Sequence, residues 1–153
     1  MQPFTEMPWS AFVQKVDEEL KAAFLLAKAV LPIMSQQAFD RLIYVSAGVV
    51  KYPDVGMIAH GTAKGALNTF ANFIAQEFGP LGITANVVAP GMTATDATAF
   101  VPEQVKEAFS NITPLRRVGE PGDVARVIAF LASDDSRFLT GTYTPVDGGF
   151  TLE

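Results

Sequence analysis

The amino-acid sequence predicts an α/β fold of about three parallel strands with helices on both faces. Three observations carry that expectation. Short runs rich in β-branched and aromatic residues stand at 42–46, 83–89 and 142–146, each closed by a glycine-containing turn. Long segments with apolar residues recurring every three or four positions separate them. Strands that alternate with long helices need crossover connections, and these leave neighbouring strands parallel.

The elements follow in order. Residues 9–31 read as a helix, with Trp9, Phe12, Val16, Leu20, Ala23, Ala27 and Leu31 on one side. Pro8 suits a first helical turn and Pro32 is expected to stop the run. Leu42-Ile43-Tyr44-Val45-Ser46 reads as a strand ending at Ala47-Gly48. A second long helix spans roughly 57–78 and ends at Gly79-Pro80 and Gly82. Ile83 to Ala89 is the second strand, closed by Pro90-Gly91. The small, polar loop from Thr93 to Phe100 reads equally as a lid or as a plain connection. A short helix is expected from Pro102 with Val105 and Phe109 inward. Another is expected from Pro121 with Val124, Val127, Ile128 and Leu131 inward. Thr142 to Val146 is the third strand, before the turn Asp147-Gly148-Gly149.

Composition narrows the function. The 153 residues make one domain of chain, 49% hydrophobic and 18% charged. A net charge of −5 argues against nucleic acid and against an anionic membrane surface. With one histidine and no cysteine, no metal site, disulfide or thiol chemistry is expected. The N-terminus lacks the basic start and apolar run of a secretory leader, so a cytoplasmic location is expected. The apolar stretch from Ala22 to Met34 is interrupted by Lys28 and Pro32, so no membrane span is expected.

The motifs then fall in a recognisable order. Val45-Ser46-Ala47-Gly48 is followed by His60-Gly61-Thr62-Ala63-Lys64, then by Ile83-Thr84-Ala85-Asn86-Val87-Val88-Ala89-Pro90-Gly91 and Thr95-Asp96. Pro114-Leu115-Arg116-Arg117-Val118-Gly119-Glu120-Pro121, Phe130-Leu131-Ala132-Ser133-Asp134 and Leu139-Thr140-Gly141-Thr142 come next, and Val146-Asp147-Gly148-Gly149-Phe150 closes the set. From about Trp9 onward the chain resembles the C-terminal half of the short-chain dehydrogenases/reductases, including bacterial ketoacyl and enoyl carrier-protein reductases. The resemblance implies a truncated, three-layer Rossmann-like fold occupying 1–153 as a single domain. It also implies NAD or NADP as cofactor. The family's glycine-rich phosphate loop is not in this sequence, so the chain alone is expected to hold a dinucleotide poorly.

Site residues carry over position by position. Lys64 matches the family lysine, which lowers the pKa of a tyrosine four residues earlier so that it can exchange a proton with substrate. Here that earlier position is His60. In the enoyl reductases the tyrosine stands seven before the lysine, and here that position is Met57. The family serine falls on Ala47, with Ser46 one residue before; a one-residue slip would reverse the face on which Ser46 points. The family asparagine falls near Glu19. Each residue has a second reading. Lys64 could be a solvated helix lysine. His60 could exchange the proton itself, its ordinary pKa suiting the task, or merely cap or fill a helix start. Glu19 could pair with Lys64, or be an exposed carboxylate favoured by the dipole of an acidic first turn. Pro90, Gly91, Thr93 and Thr95 match the segment that meets the nicotinamide and its phosphates, while Pro90-Gly91 also serves to end a strand.

Three functions compete. One is an NAD(P)-dependent oxidoreductase of a carbonyl, alcohol or enoyl substrate, with the isolated chain expected to be inactive. A second is a cofactor-independent isomerase, dehydratase or cyclase using His60, Lys64 and Glu19. A third is a non-catalytic partner subunit. The resemblance implies association through the two long helices and the last strand. An uncovered parallel edge at 42–46 also predicts a homo-oligomer or a partner chain against it.

Overall fold

A computed structural model describes residues 2–37 and 40–152. Its first long helix, α1 (Trp9–Gln37), starts where the Pro8 carbonyl accepts the amides of Ala11 and Phe12 at 3.1 and 3.2 Å. Pro32 does not stop it. Proline removes one intrahelical donor and crowds the carbonyl four residues back. Here Pro32 lies on the exposed side, and the turn that follows has compensation. Leu31 is buried, Met34 packs on the same core, and the Ser35 hydroxyl donates to the Leu31 carbonyl at 2.7 Å.

β1 (Asp40–Val45) leads into α2 (Ile58–Phe78), and α2 into β2 (Ile83–Pro90). Gly82 makes the last turn before β2 with φ of 81°, a left-handed conformation that suits glycine. After β2 come α3 (Glu103–Ile112), α4 (Pro121–Ala132) and β3 (Tyr143–Val146). The sheet runs β1-β2-β3 and is parallel throughout. Asp40 pairs with Ile83 at one end of β1 and Val45 with Val88 at the other. Val87 to Pro90 pair with Tyr143 to Val146. The central strand is buried from Ile83 to Ala89, as expected for a strand covered on both faces.

The helices form the outer layers. α1 and α2 pack on each other and on one face, where Ala27, Leu31, Ile74, Ala75, Ile83 and Ala85 form one core cluster. Alanines along the buried side of α2 let its backbone lie close to the sheet, and Tyr44 meets Phe70 edge-on at 5.9 Å. α4 covers the other face, with Leu131 almost fully buried. At about 1.5–3 kcal/mol per buried large aliphatic side chain, Leu31, Ile74, Ile83 and Leu131 are major contributors to the fold.

α3 departs from the sequence expectation. It buries none of its residues: Val105 is 41% exposed, and Phe109 is half-buried against Phe150 with ring centres 5.7 Å apart. Its apolar stripe has no sheet beneath it, because α3 stands outside the two layers.

Candidate active site

The sheet places the predicted site residues at the C-terminal ends of β1 and β2, where parallel α/β sheets bind ligands. Lys64 rises from the second turn of α2. Its Nζ donates to the Val45 carbonyl at 3.0 Å and to Glu19 Oε2 at 2.7 Å. The end of β1, the start of α2 and the middle of α1 are thus tied through one ammonium. The carboxylate comes from well inside α1, whose first turn has no acidic residue, so the helix dipole does not explain Glu19. Glu19 Oε1 accepts from Lys15 Nζ at 3.0 Å. Burial acts to raise the pKa of Glu19. The hydrogen bonds and charges of Lys64 and Lys15 outweigh it and hold the carboxyl below its usual value.

His60 lies one turn before Lys64, half-buried, with Nδ1 4.0 Å from Glu19 Oε1. That is an electrostatic contact and too long for a hydrogen bond. Burial, then the charges of Lys64 and Lys15, push its pKa below 6.5, against the pull of Glu19. The imidazole is therefore neutral at pH 7 and able to accept a proton. Met57 is the residue just before α2 and offers no proton.

Ser46 and Ala47 separate cleanly. Ser46 is only 4% exposed, and its hydroxyl lies 3.5 Å from the Lys64 carbonyl, in the packing between β1 and α2. The next residue, Ala47, has no hydroxyl to offer. Its carbonyl instead accepts from Tyr143 Oη at 3.4 Å.

The second wall is the segment after β2. Pro90 ends the strand, and Gly91 continues the ladder through its amide to the Val146 carbonyl at 3.0 Å. A Cβ on Gly91 would stand 2.7 Å from Asp147 Cβ and 2.9 Å from its Cα, so this glycine is required by the approach of the turn after β3. Thr93 donates from Oγ1 to the Gly91 carbonyl at 3.1 Å and bridges to Gly119. The Thr95 amide donates to Thr98 Oγ1 at 3.0 Å, and Thr98 donates to the Thr93 carbonyl at 2.7 Å. The loop is therefore an ordered turn, built around Asp96–Thr98.

These residues fit one end of a dinucleotide. Two of the three Lys64 donors are placed by Val45 and Glu19, which leaves one for a ligand hydroxyl such as a ribose. They do not fit the pyrophosphate end. Pro8, Met57, Pro102 and Glu120 precede the four α-helices among the described residues, and none of these starts carries a glycine-rich phosphate loop. A cavity of about 110 Å³ beside the loop, reaching Arg117, Gly119 and Asp123, is too small for a ligand of that size.

Two contacts at the site had not been singled out in the sequence. Lys15 could have been found from its position one helical turn before Glu19, the spacing at which opposite charges pair. Tyr143 reaches Ala47 across 96 positions, and no local pattern signals that.

Comparison with known proteins places this geometry. A family model described as Enoyl-(Acyl carrier protein) reductase matches residues 1–151. The 3-oxoacyl-[acyl-carrier-protein] reductase of Pseudomonas aeruginosa is 37% identical over 137 residues, which are 90% of this chain and 56% of that protein. Among solved structures, a short-chain type dehydrogenase/reductase from Mycobacterium ulcerans superposes with a TM-score of 0.94 at 27% identity, covering 99% of this chain and 56% of that one. A 3-oxoacyl-[acyl-carrier protein] reductase from Brucella melitensis gives 0.91 at 31% identity, covering 97% and 56%. The chain spans about half the length of the curated relatives it matches.

Proposed function

The chain belongs to the short-chain dehydrogenase/reductase family, and on that premise we propose that it forms the substrate-side part of an NAD(P)-dependent oxidoreductase acting on a carbonyl or alcohol. The substrate class is suggested by the names of its relatives: a 3-oxoacyl thioester of a carrier protein. The observation that carries the reading is the joining of His60, Lys64 and Glu19 at the C-terminal end of the sheet.

The nicotinamide, when bound, supplies or takes the hydride. The chain's own part is proton transfer and positioning. In alcohol oxidation, the neutral His60 imidazole takes the hydroxyl proton while the carbon loses hydride. In carbonyl reduction, His60 must first be protonated, and then returns that proton to the oxygen as hydride arrives at carbon. Lys64 orients a ligand hydroxyl with its remaining donor and, being charged, favours negative charge developing on the reacting oxygen. Ser46 has no part in this scheme. The loop carrying Pro90, Gly91, Thr93 and Thr95 forms the opposite wall and receives the nicotinamide end. Such a half-site holds a dinucleotide weakly, because its pyrophosphate end has no glycine-rich cradle at a helix start.

A cofactor-free proton-transfer enzyme is the second reading. It is favoured by the closeness of His60, Lys64 and Glu19, three groups able to exchange protons. The exposed side chains of Phe24, Leu25 and Phe73 line an apolar groove along α1 and α2, which supports self-association through these helices. No helix among the described residues is long and apolar enough to cross a membrane.

The test is a titration with NADH, NADPH and nicotinamide mononucleotide, followed by calorimetry and amide shifts. Saturable shifts around His60, Lys64 and 91–98 are expected at millimolar ligand. Unchanged spectra at millimolar ligand sink the oxidoreductase reading for this chain.

A further inference from the structure

One carboxylate at the site has three neighbours that can carry positive charge. Glu19 gives Oε2 to Lys64 at 2.7 Å and Oε1 to Lys15 at 3.0 Å, and the same Oε1 stops 4.0 Å short of His60 Nδ1. A carboxylate has about four acceptor positions on its two oxygens. It could therefore serve His60 without giving up Lys64. What stands in the way is direction: Lys15, one turn back on α1, draws Oε1 along its own helix and away from α2.

We propose that Lys15 is a positioning residue, which anchors Oε1 of Glu19 on α1 and so keeps the His60 imidazole without a carboxylate partner and available to a ligand. The inference deepens the proposed function and rests on it for the use made of His60. Release of Oε1 would let the carboxylate close on Nδ1. The site would then become a histidine–carboxylate dyad, in which the partner orients the ring and favours imidazolium. Lys15 thereby sets the direction of proton transfer that the site favours: acceptance from an alcohol when it holds Oε1, donation to a carbonyl oxygen when it does not.

The charged groups acting on His60 are Lys15 and Glu19 from α1 and Lys64 from α2. Lys15 has two effects of the same sign. Its own charge opposes imidazolium, and its grip on Oε1 withholds the favourable partner. Removing Glu19 has the opposite effect, because it leaves the two ammonium groups unopposed.

His60 is the single histidine, so its titration can be read directly by nitrogen-edited NMR of the imidazole, without cofactor or substrate. In Lys15→Met, which keeps the aliphatic stem, the titration is expected to move up in pH, and Nδ1 to take the shift of a hydrogen-bonded nitrogen. Glu19→Gln is expected to move it down. In the Glu19→Gln background, Lys15→Met should give a smaller upward shift, since only its charge is then lost. Lys15→Arg should titrate like the parent. Equal shifts of Lys15→Met in both backgrounds would mean that Lys15 acts by charge alone, and would overturn the positioning role. So would no shift at all. Lys15 is 41% exposed in its side chain, so its replacement removes little packing. Because the readout needs no ligand, failure of cofactor binding would count against the proposed function and leave this result standing.

Discussion

Replacing Asn86 should be among the most damaging single polar substitutions in this chain, and its cost can be worked from its contacts. Asn86 lies in the middle of β2 and is 1% exposed. Its Nδ2 donates to the Leu139 carbonyl at 2.9 Å; its Oδ1 accepts from the Thr142 amide at 3.2 Å and the Thr142 hydroxyl at 2.8 Å. One side chain therefore fastens the segment that delivers the chain into β3. Asn86→Ala removes all three bonds and leaves a carbonyl and an amide without that partner. An unsatisfied buried group costs about 1–3 kcal/mol. Leu139 is exposed and Thr142 half-buried, so water relieves part of this, and the loss should be about 2–3 kcal/mol. Thr142→Val removes only the hydroxyl contact and should cost about 1 kcal/mol. At about 2–4 °C per kcal/mol for a chain of this size, Asn86→Ala lowers Tm by about 4–12 °C and Thr142→Val by about 2–4 °C. The assay is urea unfolding followed by circular dichroism, with unchanged m values required for the comparison. If Asn86→Ala costs no more than Thr142→Val, the three-bond account of this residue is wrong.

Three further outcomes are expected. Gly91→Ala should lose about 1–3 kcal/mol, because its Cβ would press on the Asp147 backbone, where no side-chain rotation can relieve it; a thermal melt within error of the parent would refute this. Pro32→Ala should raise stability by about 1–2 kcal/mol, since it restores a helix bond and removes a ring that helices tolerate poorly, offset in part by a freer unfolded chain; a lower Tm would show that the stiffening of the unfolded chain by proline outweighs the lost helix bond. Glu19 has a lowered pKa in the fold, so its contribution is complete above its ordinary value of 4.5 and is lost as pH falls through the lower folded value. Urea midpoints measured from pH 6 to pH 3 should therefore fall less steeply in Glu19→Gln than in the parent, and parallel curves would show that the Lys64–Glu19 pair does not contribute.

How far the sequence could be read depended on the range of the forces involved. The strands and the two long helices were legible, because periodic apolar burial is written locally: Ala27, Leu31 and Leu131 all fall on the predicted inner faces. Pro32 misled because a local rule met a tertiary compensation, the burial of Leu31 and the partial burial of Met34 on either side of it. Val105 misled for the opposite reason, since its helix has an apolar stripe and no layer beneath to receive it. At the site, spacing brought Lys64 and His60 together, because both lie on one helix. The Glu19–Lys64 contact joins positions 45 apart and was reachable only through the family pattern. Which way Ser46 faced could not be decided without the register of β1, and the structure turns its hydroxyl into the core.

The two rims of the sheet differ in a way that gives it a direction. On β3 the carbonyls of Thr142 and Val146 accept from β2, so Tyr143 and Pro145 are the residues aimed outward. Pro145 has no amide hydrogen to offer there, and proline on an outer strand is a common block to further pairing. β1 is six residues long and has no proline, so it carries no such block. Regarded as a growing polymer, the sheet is terminated at one end and living at the other. Any strand recruited to it, from the same polypeptide or from another, adds beside Ile43 and Val45, whose backbone faces away from β2. An edge-directed peptide or a solubilising charge would therefore act at β1, and the same change at β3 would meet an end already closed.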